Sequence, residues 1–343
     1  MKIVAFELEP WEKSAFEQLA EQHDLVLESE PLRNDNAERF SDAEVISTFI
    51  YSRLGADVLR QFERLRMIAT RSTGIDHIDR GECGRRNIAV SNVPVYGDNT
   101  VAEHVFGLLL TISHRIWDAV DRTRKGDFTL SELRGFDLQG KTLGVIGTGA
   151  IGRHVIQIAK GFGMTVVAHD MREDREFAER LGFEYESLEN VFKQADVLTL
   201  HVPASPKTEN LVGDDAFAQM KDGVVLINTA RGCVVDIKAL VRALGQGKVA
   251  AVGLDVLPEE PTIREEAELL RSMFRKEHDL ETLLANHLLL RLRNVYITPH
   301  SAFNTREAVK RILDTTVENI MAFERGQPQN LALGSKSQEA PGS

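Results

Sequence analysis

The sequence predicts an α/β protein built from two doubly wound parallel sheets. Short runs rich in Val and Ile alternate with longer stretches of helical periodicity, which is the pattern of βαβ units. The strand series starts at the N-terminus and begins afresh after Arg115. The length of 343 residues suits two domains of roughly 150 residues each. A helical stretch at 305–325 follows the last strand, so the C-terminus can return to the first domain.

The first half carries five predicted strands and a long helix. An amphipathic stretch at 11–23 lies between the first two strands, and a helical run extends from Thr100 to about Arg115. Its apolar residues recur near helical spacing, and this helix is a natural connector between the domains. The predicted strands are residues 2–7, 25–28, 45–50, 67–71 and 88–91.

The second half carries six predicted strands with helical patterns between most of them, enough for a complete doubly wound unit. These strands are residues 142–146, 165–169, 197–201, 224–228, 249–254 and 295–298.

Composition excludes several classes of function. The formal net charge is −11 and the Lys and Arg residues do not cluster, which argues against a nucleic-acid partner. Apolar runs such as 105–112 fall short of the roughly 20 residues that span a bilayer, and the N-terminus lacks the pattern of a signal peptide. The two cysteines, Cys83 and Cys233, are too few for a disulfide scaffold or a zinc cluster. We therefore expect no membrane partner, no metal and a cytoplasmic location.

A glycine-rich turn follows the first strand of the second half. Gly147, Gly149 and Gly152 form a GxGxxG motif with a strand before it and a helical pattern after it. This context predicts a dinucleotide site of Rossmann type. The first glycine permits the tight turn, the second lets the backbone approach the pyrophosphate, and the third lets the helix pack on the strand. The helix N-terminus then presents free N–H groups to the phosphates.

An acidic residue, Asp170, ends the next predicted strand. A carboxylate at this place accepts hydrogen bonds from the ribose hydroxyls and repels a 2′-phosphate. The sequence therefore favours NAD over NADP, although Arg172 is near enough to soften that preference.

Three polar residues follow later strands of the same half. Arg231, Glu260 and His300 come after the predicted strands 224–228, 249–254 and 295–298. Because ligands of open α/β sheets bind at the carboxyl ends of strands, we expect these side chains to converge. An arginine binds a carboxylate in a bidentate manner, and a histidine paired with a carboxylate transfers protons near neutral pH. Taken singly, each residue has a structural alternative: a capping histidine, a surface ion pair or a solvated loop acid.

Together these motifs resemble the D-isomer-specific 2-hydroxyacid dehydrogenase family, over roughly residues 1–330. The resemblance implies a substrate domain formed by 1–98 and 303–333, an inserted NAD-binding domain at 99–302, and a tail at 334–343 that we expect to be disordered. Both domains would be of Rossmann or flavodoxin-like type. It also implies a catalytic triad in which His300 is the proton donor, Glu260 its partner, and Arg231 the group that binds the substrate carboxylate. The further positions that match cofactor contacts of the family are Ala150, Ile151, Asp170, Val202, Pro203, Thr208, Thr229, Ala230 and Asp255.

The loop at 71–76 is similar to the family loop whose backbone N–H groups hold the substrate carboxylate, with Thr73 and Gly74 at its centre. Without the family, Gly74 is equally a simple turn glycine. Tyr96 and Phe303 resemble aromatic positions of the D-lactate dehydrogenase branch, and such a wall would suit a short apolar side chain. Tyr96 is equally compatible with a core or interface role.

The sequence thus predicts an NAD-dependent enzyme that transfers a hydride between nicotinamide and a small D-2-hydroxy acid or 2-keto acid, with D-lactate and pyruvate favoured. One alternative is a hydroxypyruvate/glyoxylate reductase or a phosphoglycerate dehydrogenase-like enzyme; Arg53, Arg71 and His77 are the nearest groups for a phosphate. Another is a non-catalytic NADH-sensing protein like the corepressors of the same family.

The resemblance also implies a homodimer through the cofactor domain. The long connection at 261–292 includes a charged helical stretch, 265–276, that is typical of a solvated surface helix; the alternatives are a cover over the active-site mouth and a dimer contact.

Overall fold

The computed structural model describes residues 1–258 and 280–333, which divide into two compact units. The first unit is Met1–Tyr96 with the chain from Thr305 onward, and the second is Gly97–Asn304. The second unit is therefore inserted into the first. The boundaries that we expect from the sequence, after residues 98 and 302, lie two residues from those of the structure.

The first unit contains a six-stranded sheet. Its spatial order is β13-β5-β4-β3-β1-β2. The first five strands pair in parallel, and β13 pairs antiparallel with β5 at the edge. The parallel strands have the order 2-1-3-4-5 of a flavodoxin-like fold. The strands are β1 (Lys2–Ala5), β2 (Asp24–Leu27), β3 (Val45–Thr48), β4 (Met67–Thr70), β5 (Ala89–Ser91) and β13 (Leu331–Leu333).

The second unit contains a seven-stranded, fully parallel sheet of order β12-β11-β10-β9-β6-β7-β8. The order reverses between β6 and β9, which is the switch point of a Rossmann sheet. The two parallel-sheet units confirm the predicted fold class. The strands are β6 (Thr142–Ile146), β7 (Thr165–His169), β8 (Glu184–Tyr185), β9 (Val197–Leu200), β10 (Val224–Asn228), β11 (Val249–Leu254) and β12 (Val295–Ile297).

Helices connect most of these strands. In the first unit they are α1 (Lys13–Phe16), α2 (Ala56–Leu59), α3 (Arg80–Arg86) and α12 (Arg306–Glu324), with 3₁₀ turns at Glu17–Glu21 and Ala37–Phe40. In the second unit they are α4 (Asp98–Ser113), α5 (Ile116–Arg124), α6 (Ala150–Gly161), α7 (Arg175–Leu181), α8 (Leu188–Gln194), α9 (Asp214–Gln219), α10 (Ile237–Gly245) and α11 (Leu280–Leu289), with a 3₁₀ turn at Gly232–Val234. None of the helices in the described ranges is both long and apolar enough to cross a membrane.

Alternate residues of the second sheet pack into two separate hydrophobic cores. Val224 and Leu226 of β10 belong to one buried cluster, whereas Val225 and Ile227 belong to another. This follows from the two-residue period of a strand, which sends successive side chains to opposite faces. Because both faces are covered, the strand reads as a continuous apolar run, which is why the sequence shows it clearly.

Several predicted elements differ in extent from the observed ones. The amphipathic stretch at 11–23 forms only the short α1 and a 3₁₀ turn. The first strand ends at Ala5 rather than at residue 7, because Glu7 adopts a left-handed conformation with φ of 59°. The short edge strands β8 and β13 are absent from the prediction. The expected surface helix at 265–276 and the expected disordered tail at 334–343 lie outside the described residues.

Candidate active site

The glycine-rich turn lies between β6 and α6 and has the geometry that a dinucleotide requires. Gly147 has φ of 95°, and a Cβ atom there would lie 2.4 Å from the carbonyl oxygen of His201. A Cβ atom at Gly152 would lie 2.0 Å from the carbonyl oxygen of Gly147. Both positions therefore exclude a side chain because backbone packs against them. At Gly149, by contrast, a Cβ atom would meet nothing within 4 Å, so this position leaves room for a ligand.

The helix that follows the turn presents unpaired donors to this room. Since α6 begins at Ala150, the N–H groups of Ala150, Ile151 and Gly152 have no acceptor within the helix. The helix end also carries partial positive charge. These positions suit the binding of a pyrophosphate.

Asp170 lies beside the glycine-rich turn, directly after β7. One carboxylate oxygen accepts the backbone N–H of Thr148 at 2.6 Å and the Thr148 hydroxyl at 3.1 Å. The other accepts the backbone N–H of Arg172 at 2.8 Å. Burial acts to raise the pKa of Asp170, but these hydrogen bonds outweigh it and hold the pKa below its ordinary value. The group is thus a fixed carboxylate whose remaining lone pairs can accept ribose hydroxyls.

The loop after β9 is held by hydrogen bonds between its own residues. The Thr208 hydroxyl donates to the Pro203 carbonyl at 2.6 Å and accepts the Ser205 N–H at 2.9 Å. Thr208 therefore fixes this loop, whatever contact it makes with a cofactor. Desolvation of the His201 imidazole lowers its pKa to about 3, so the ring is neutral. His201 and Val202 are half-buried, whereas Pro203 is exposed.

The turn after β10 is shaped by Asn228. Its side-chain oxygen accepts the Ala230 N–H at 3.0 Å, and its side-chain nitrogen donates to the Arg231 carbonyl at 3.0 Å. Next to it, the Thr229 hydroxyl is buried without a hydrogen-bond partner in the described chain. An orphaned buried hydroxyl at a strand end, on the same edge of the sheet as the glycine-rich turn, fits a site that takes a polar ligand.

Asp255, directly after β11, holds the turn that contains His300. Its carboxylate is 1% exposed and accepts the Thr298 hydroxyl and the N–H groups of Ser301 and Ala302, the last two at 2.9 Å. His300 lies between these anchors with φ of 52°, a conformation that costs a non-glycine residue energy and occurs preferentially at functional sites. The expected contact of Asp255 with the cofactor stays a prediction, since the observed partners belong to the protein's own chain.

Strand register brings the ends of β10, β11 and β12 side by side. Asn228 pairs with Leu254, and Leu254 pairs with Ile297. Adjacent strands lie about 4.8 Å apart. Arg231 and His300 each follow these paired residues by three positions, and Asp255 directly follows Leu254. The structure therefore places Arg231 and His300 at the same edge of the sheet as the glycine-rich turn.

The third member of the predicted triad, Glu260, lies outside the described residues. The chain leading to it nonetheless passes the Arg231 turn, because a Cβ atom at Gly232 would lie 2.3 Å from the carbonyl carbon of Leu257 and 2.4 Å from the nitrogen of Pro258.

The predicted substrate loop of the first unit is anchored on both sides. The Thr73 hydroxyl donates to the Val93 carbonyl at 2.8 Å, and the Asn92 side chain donates to the Thr73 carbonyl at 2.6 Å. The Ser72 hydroxyl donates to the Gly74 carbonyl at 2.7 Å. Within residues 1–258 and 280–333, the backbone N–H groups of Thr73 and Gly74 donate to no protein acceptor, so both remain available to a ligand.

The two aromatic positions are half-buried in different units. Tyr96 ends the first part of the first unit, and its carbonyl accepts a hydrogen bond from Arg311. Phe303 falls in the second unit, one residue after the Asp255-held turn. Their contact with a substrate stays a prediction.

Sequence reasoning missed two side chains that shape the site. Thr148 connects the glycine-rich turn to Asp170 and also lies 2.9 Å from the Tyr185 hydroxyl. His104 on α4 lies 3.0 Å from the Thr298 hydroxyl. A histidine within an apolar helix, next to Val105, was the signal available for the second; for Thr148 the sequence gives none, because any residue fits the second motif position.

We predict that Asp170→Ser lowers affinity for NADH by about tenfold and narrows the preference over NADPH, because the carboxylate both accepts ribose hydroxyls and repels a 2′-phosphate. Fluorescence titration of each nucleotide checks this. Thr148→Val is the matched control, since it removes a bond to Asp170 but leaves the charge. An unchanged NADH/NADPH ratio in Asp170→Ser contradicts the assignment.

Comparison with known proteins gives the same assignment. Residues 106–302 match the family model described as "D-isomer specific 2-hydroxyacid dehydrogenase, NAD binding domain". D-lactate dehydrogenase of Escherichia coli is 33% identical, covering 95% of this chain and 98% of that protein. A glyoxylate reductase of Aeropyrum pernix is 35% identical, covering 84% of this chain and 83% of that protein.

A solved D-lactate dehydrogenase of Aquifex aeolicus, complexed with NAD and lactic acid, has a TM-score of 0.84 at 34% identity and covers 97% of this chain and 99% of that one. The chain therefore belongs to the D-isomer-specific 2-hydroxyacid dehydrogenases, a family of NAD-dependent oxidoreductases.

Proposed function

We propose that this enzyme interconverts a small, unphosphorylated 2-keto acid and the corresponding D-2-hydroxy acid, with pyruvate and D-lactate as the favoured pair. The observation that carries the proposal is the placement of Arg231 and the His300 turn after β10 and β12, the two strands that flank β11, at the edge that also bears the glycine-rich turn. The Escherichia coli and Aquifex aeolicus relatives, both named D-lactate dehydrogenase, support the choice of substrate.

His300 acts in this proposal as the group that protonates the ketone oxygen or removes the hydroxyl proton in the reverse direction. The bound nicotinamide supplies or accepts the hydride. The Asp255 carboxylate accepts hydrogen bonds from Thr298, Ser301 and Ala302, and these bonds limit the motion of the His300 imidazole. An acid held in a fixed position is more effective than a mobile one. Glu260 remains the proposed partner of His300 on the strength of the family resemblance.

Arg231 is the proposed anchor of the substrate carboxylate in the second unit. One guanidinium nitrogen donates to the Ala230 carbonyl at 2.7 Å, which leaves further donors of the fork for an anion. In the first unit, we assign carboxylate binding to the free N–H groups of Thr73 and Gly74.

Two of the three groups that could bind a phosphate, Arg71 and His77, are unsuited to that role. The Arg71 guanidinium is 2% exposed and donates to the carbonyls of Phe6 and Glu7 at 2.7 and 2.9 Å and to the Ser47 hydroxyl at 3.2 Å. It is therefore committed to the protein's own backbone. Burial lowers the pKa of His77, which favours its neutral form, a weak partner for phosphate.

A glyoxylate or hydroxypyruvate reductase is the second candidate, because relatives named glyoxylate reductase match this chain at similar identity. The pocket that would separate these substrates involves Tyr96 and Phe303, whose contacts with a ligand are predictions. A non-catalytic NADH sensor would bind NADH yet turn over none of these acids.

We predict NADH oxidation, followed at 340 nm, with pyruvate preferred over glyoxylate, hydroxypyruvate and 3-phosphohydroxypyruvate. In His300→Gln, kcat falls by about 10²- to 10⁴-fold because the general acid is lost, whereas the Kd for NADH stays within about twofold. His114→Gln, which changes an exposed histidine, keeps full activity. An equally active His300→Gln variant contradicts the proposed acid, and a parent enzyme that binds NADH without turnover supports the sensor instead.

We also propose a homodimer formed through the second unit. Helix α5 has no buried residue, and Trp117 on it is 64% exposed. The segment that follows exposes Phe128 at 79% and Leu130 at 84%. Large apolar side chains that are this exposed and this close in sequence are typical of interfaces.

Light scattering on a sizing column is predicted to give twice the chain mass of 38.3 kDa. The double substitution Trp117→Arg with Leu130→Arg shifts the mass toward the monomer, because buried unpaired charges oppose association. Substitution of the exposed Met171 by Arg serves as the control. A parent protein that elutes as a monomer contradicts the proposed dimer.

A further inference from the structure

A chain of three polar side chains connects helix α4 to the turn that holds His300. The imidazole Nε2 of His104 lies 3.0 Å from the Thr298 hydroxyl, and that hydroxyl is hydrogen-bonded to the Asp255 carboxylate. Nε2 of His104 is also 3.5 Å from the same carboxylate oxygen. All three residues belong to the second unit, and the roles discussed above leave His104 unassigned.

The direction of these hydrogen bonds is fixed by the chemistry of the partners. An ionised carboxylate only accepts, and Asp255 already accepts two backbone N–H groups on its two oxygens. The single hydroxyl proton of Thr298 must therefore go to Asp255, so the hydroxyl can only accept from His104. It follows that Nε2 of His104 carries a proton, in both the neutral and the charged form of the ring.

The same arrangement places a hydrogen-bond donor next to a buried carboxylate. Asp255 is almost fully buried, and among the described residues His104 is the one ionisable base within 4 Å of its carboxylate. A buried carboxylate with hydrogen bonds on every side keeps a defined orientation, whereas one that loses a partner reorganises. Because Asp255 holds Ser301 and Ala302, a disturbance at His104 is transmitted to the turn between residues 298 and 302.

His300 depends on that turn for its unusual backbone. Its φ of 52° is a left-handed conformation, which persists only where the surroundings enforce it. The enforcing contacts are the Asp255 bonds on the far side and the bond from the His300 N–H to the Thr298 carbonyl, at 2.9 Å, on the near side.

We propose that His104 is a positioning residue for His300, acting through Thr298 and Asp255 to hold the imidazole in its reactive place. The proposal rests on the proposed role of His300 as acid and base. Helix α4, which begins the second unit, therefore takes a direct part in ordering the site.

Two substitutions at His104 separate hydrogen bonding from bulk. His104→Leu fills similar space without a donor, whereas His104→Gln carries an amide N–H that reaches roughly the place of Nε2. In His104→Leu, kcat with pyruvate falls on the order of 10- to 100-fold through misplacement of the acid, while the Kd for NADH stays within about twofold. His104→Gln recovers most of this loss. A kcat within twofold of the parent in His104→Leu, or no recovery in His104→Gln, overturns the proposal.

Thr298→Val provides an internal check, since it breaks the same chain one step later. Because both changes remove a single connection, the double variant His104→Leu with Thr298→Val loses no more activity than the worse single variant. Losses that multiply instead contradict a common pathway through the hydroxyl.

Amide hydrogen exchange measures the stability of the turn at 298–302 independently of catalytic activity. The peptide containing Ser301 and Ala302 exchanges about tenfold faster in His104→Leu than in the parent, because these N–H groups are held by Asp255. His114→Leu, on an exposed histidine directly after the same helix, leaves exchange and kcat unchanged. Faster exchange in His104→Leu, together with a parent that turns over none of the acids, sinks the proposed reaction but keeps the positioning role. Unchanged exchange together with an active parent sinks the positioning role alone.

Discussion

The parallel register of β10, β11 and β12 is the constraint on which the site depends. Asn228, Leu254 and Ile297 lie side by side, so the residues that follow them emerge together although they are far apart in sequence. A slip of one residue in either pairing would turn every side chain of a strand to the opposite face. Both faces are buried against helices, and the two alternating cores of the second unit therefore fix the register.

Polar contacts then convert these aligned strand ends into shaped turns. Asn228 closes the turn before Arg231, Asp255 holds the turn around His300, and Thr148 connects the glycine-rich turn to Asp170. In each case one side chain satisfies backbone donors or acceptors that would otherwise be left unpaired at a strand end. The reactive groups thus rest on a layer of hydrogen bonds belonging to the protein itself, which supports proposals for His300 and His104 alike.

The fold and the cofactor turn could be predicted from sequence because their signals are local. A buried parallel strand such as β10 is a continuous apolar run, and the glycines at 147 and 152 are required by close backbone contacts. The supporting residues could not be predicted in this way. The contact of His104 with Thr298 joins residues 194 positions apart, and the αL conformation of His300 arises from its surroundings. The role of Arg71 also needed the structure, since only its burial shows that the guanidinium serves backbone carbonyls.

The central claim is that one edge of the second sheet binds the dinucleotide beside Arg231 and His300. A crystal structure of the chain grown with NAD tests it most directly. We expect phosphate oxygens within hydrogen-bonding distance of the N–H groups of residues 150–152, ribose hydroxyls on the Asp170 carboxylate, and the nicotinamide ring next to the turn at 298–302. A dinucleotide bound at the opposite edge, or one whose nicotinamide lies far from both Arg231 and His300, would contradict it.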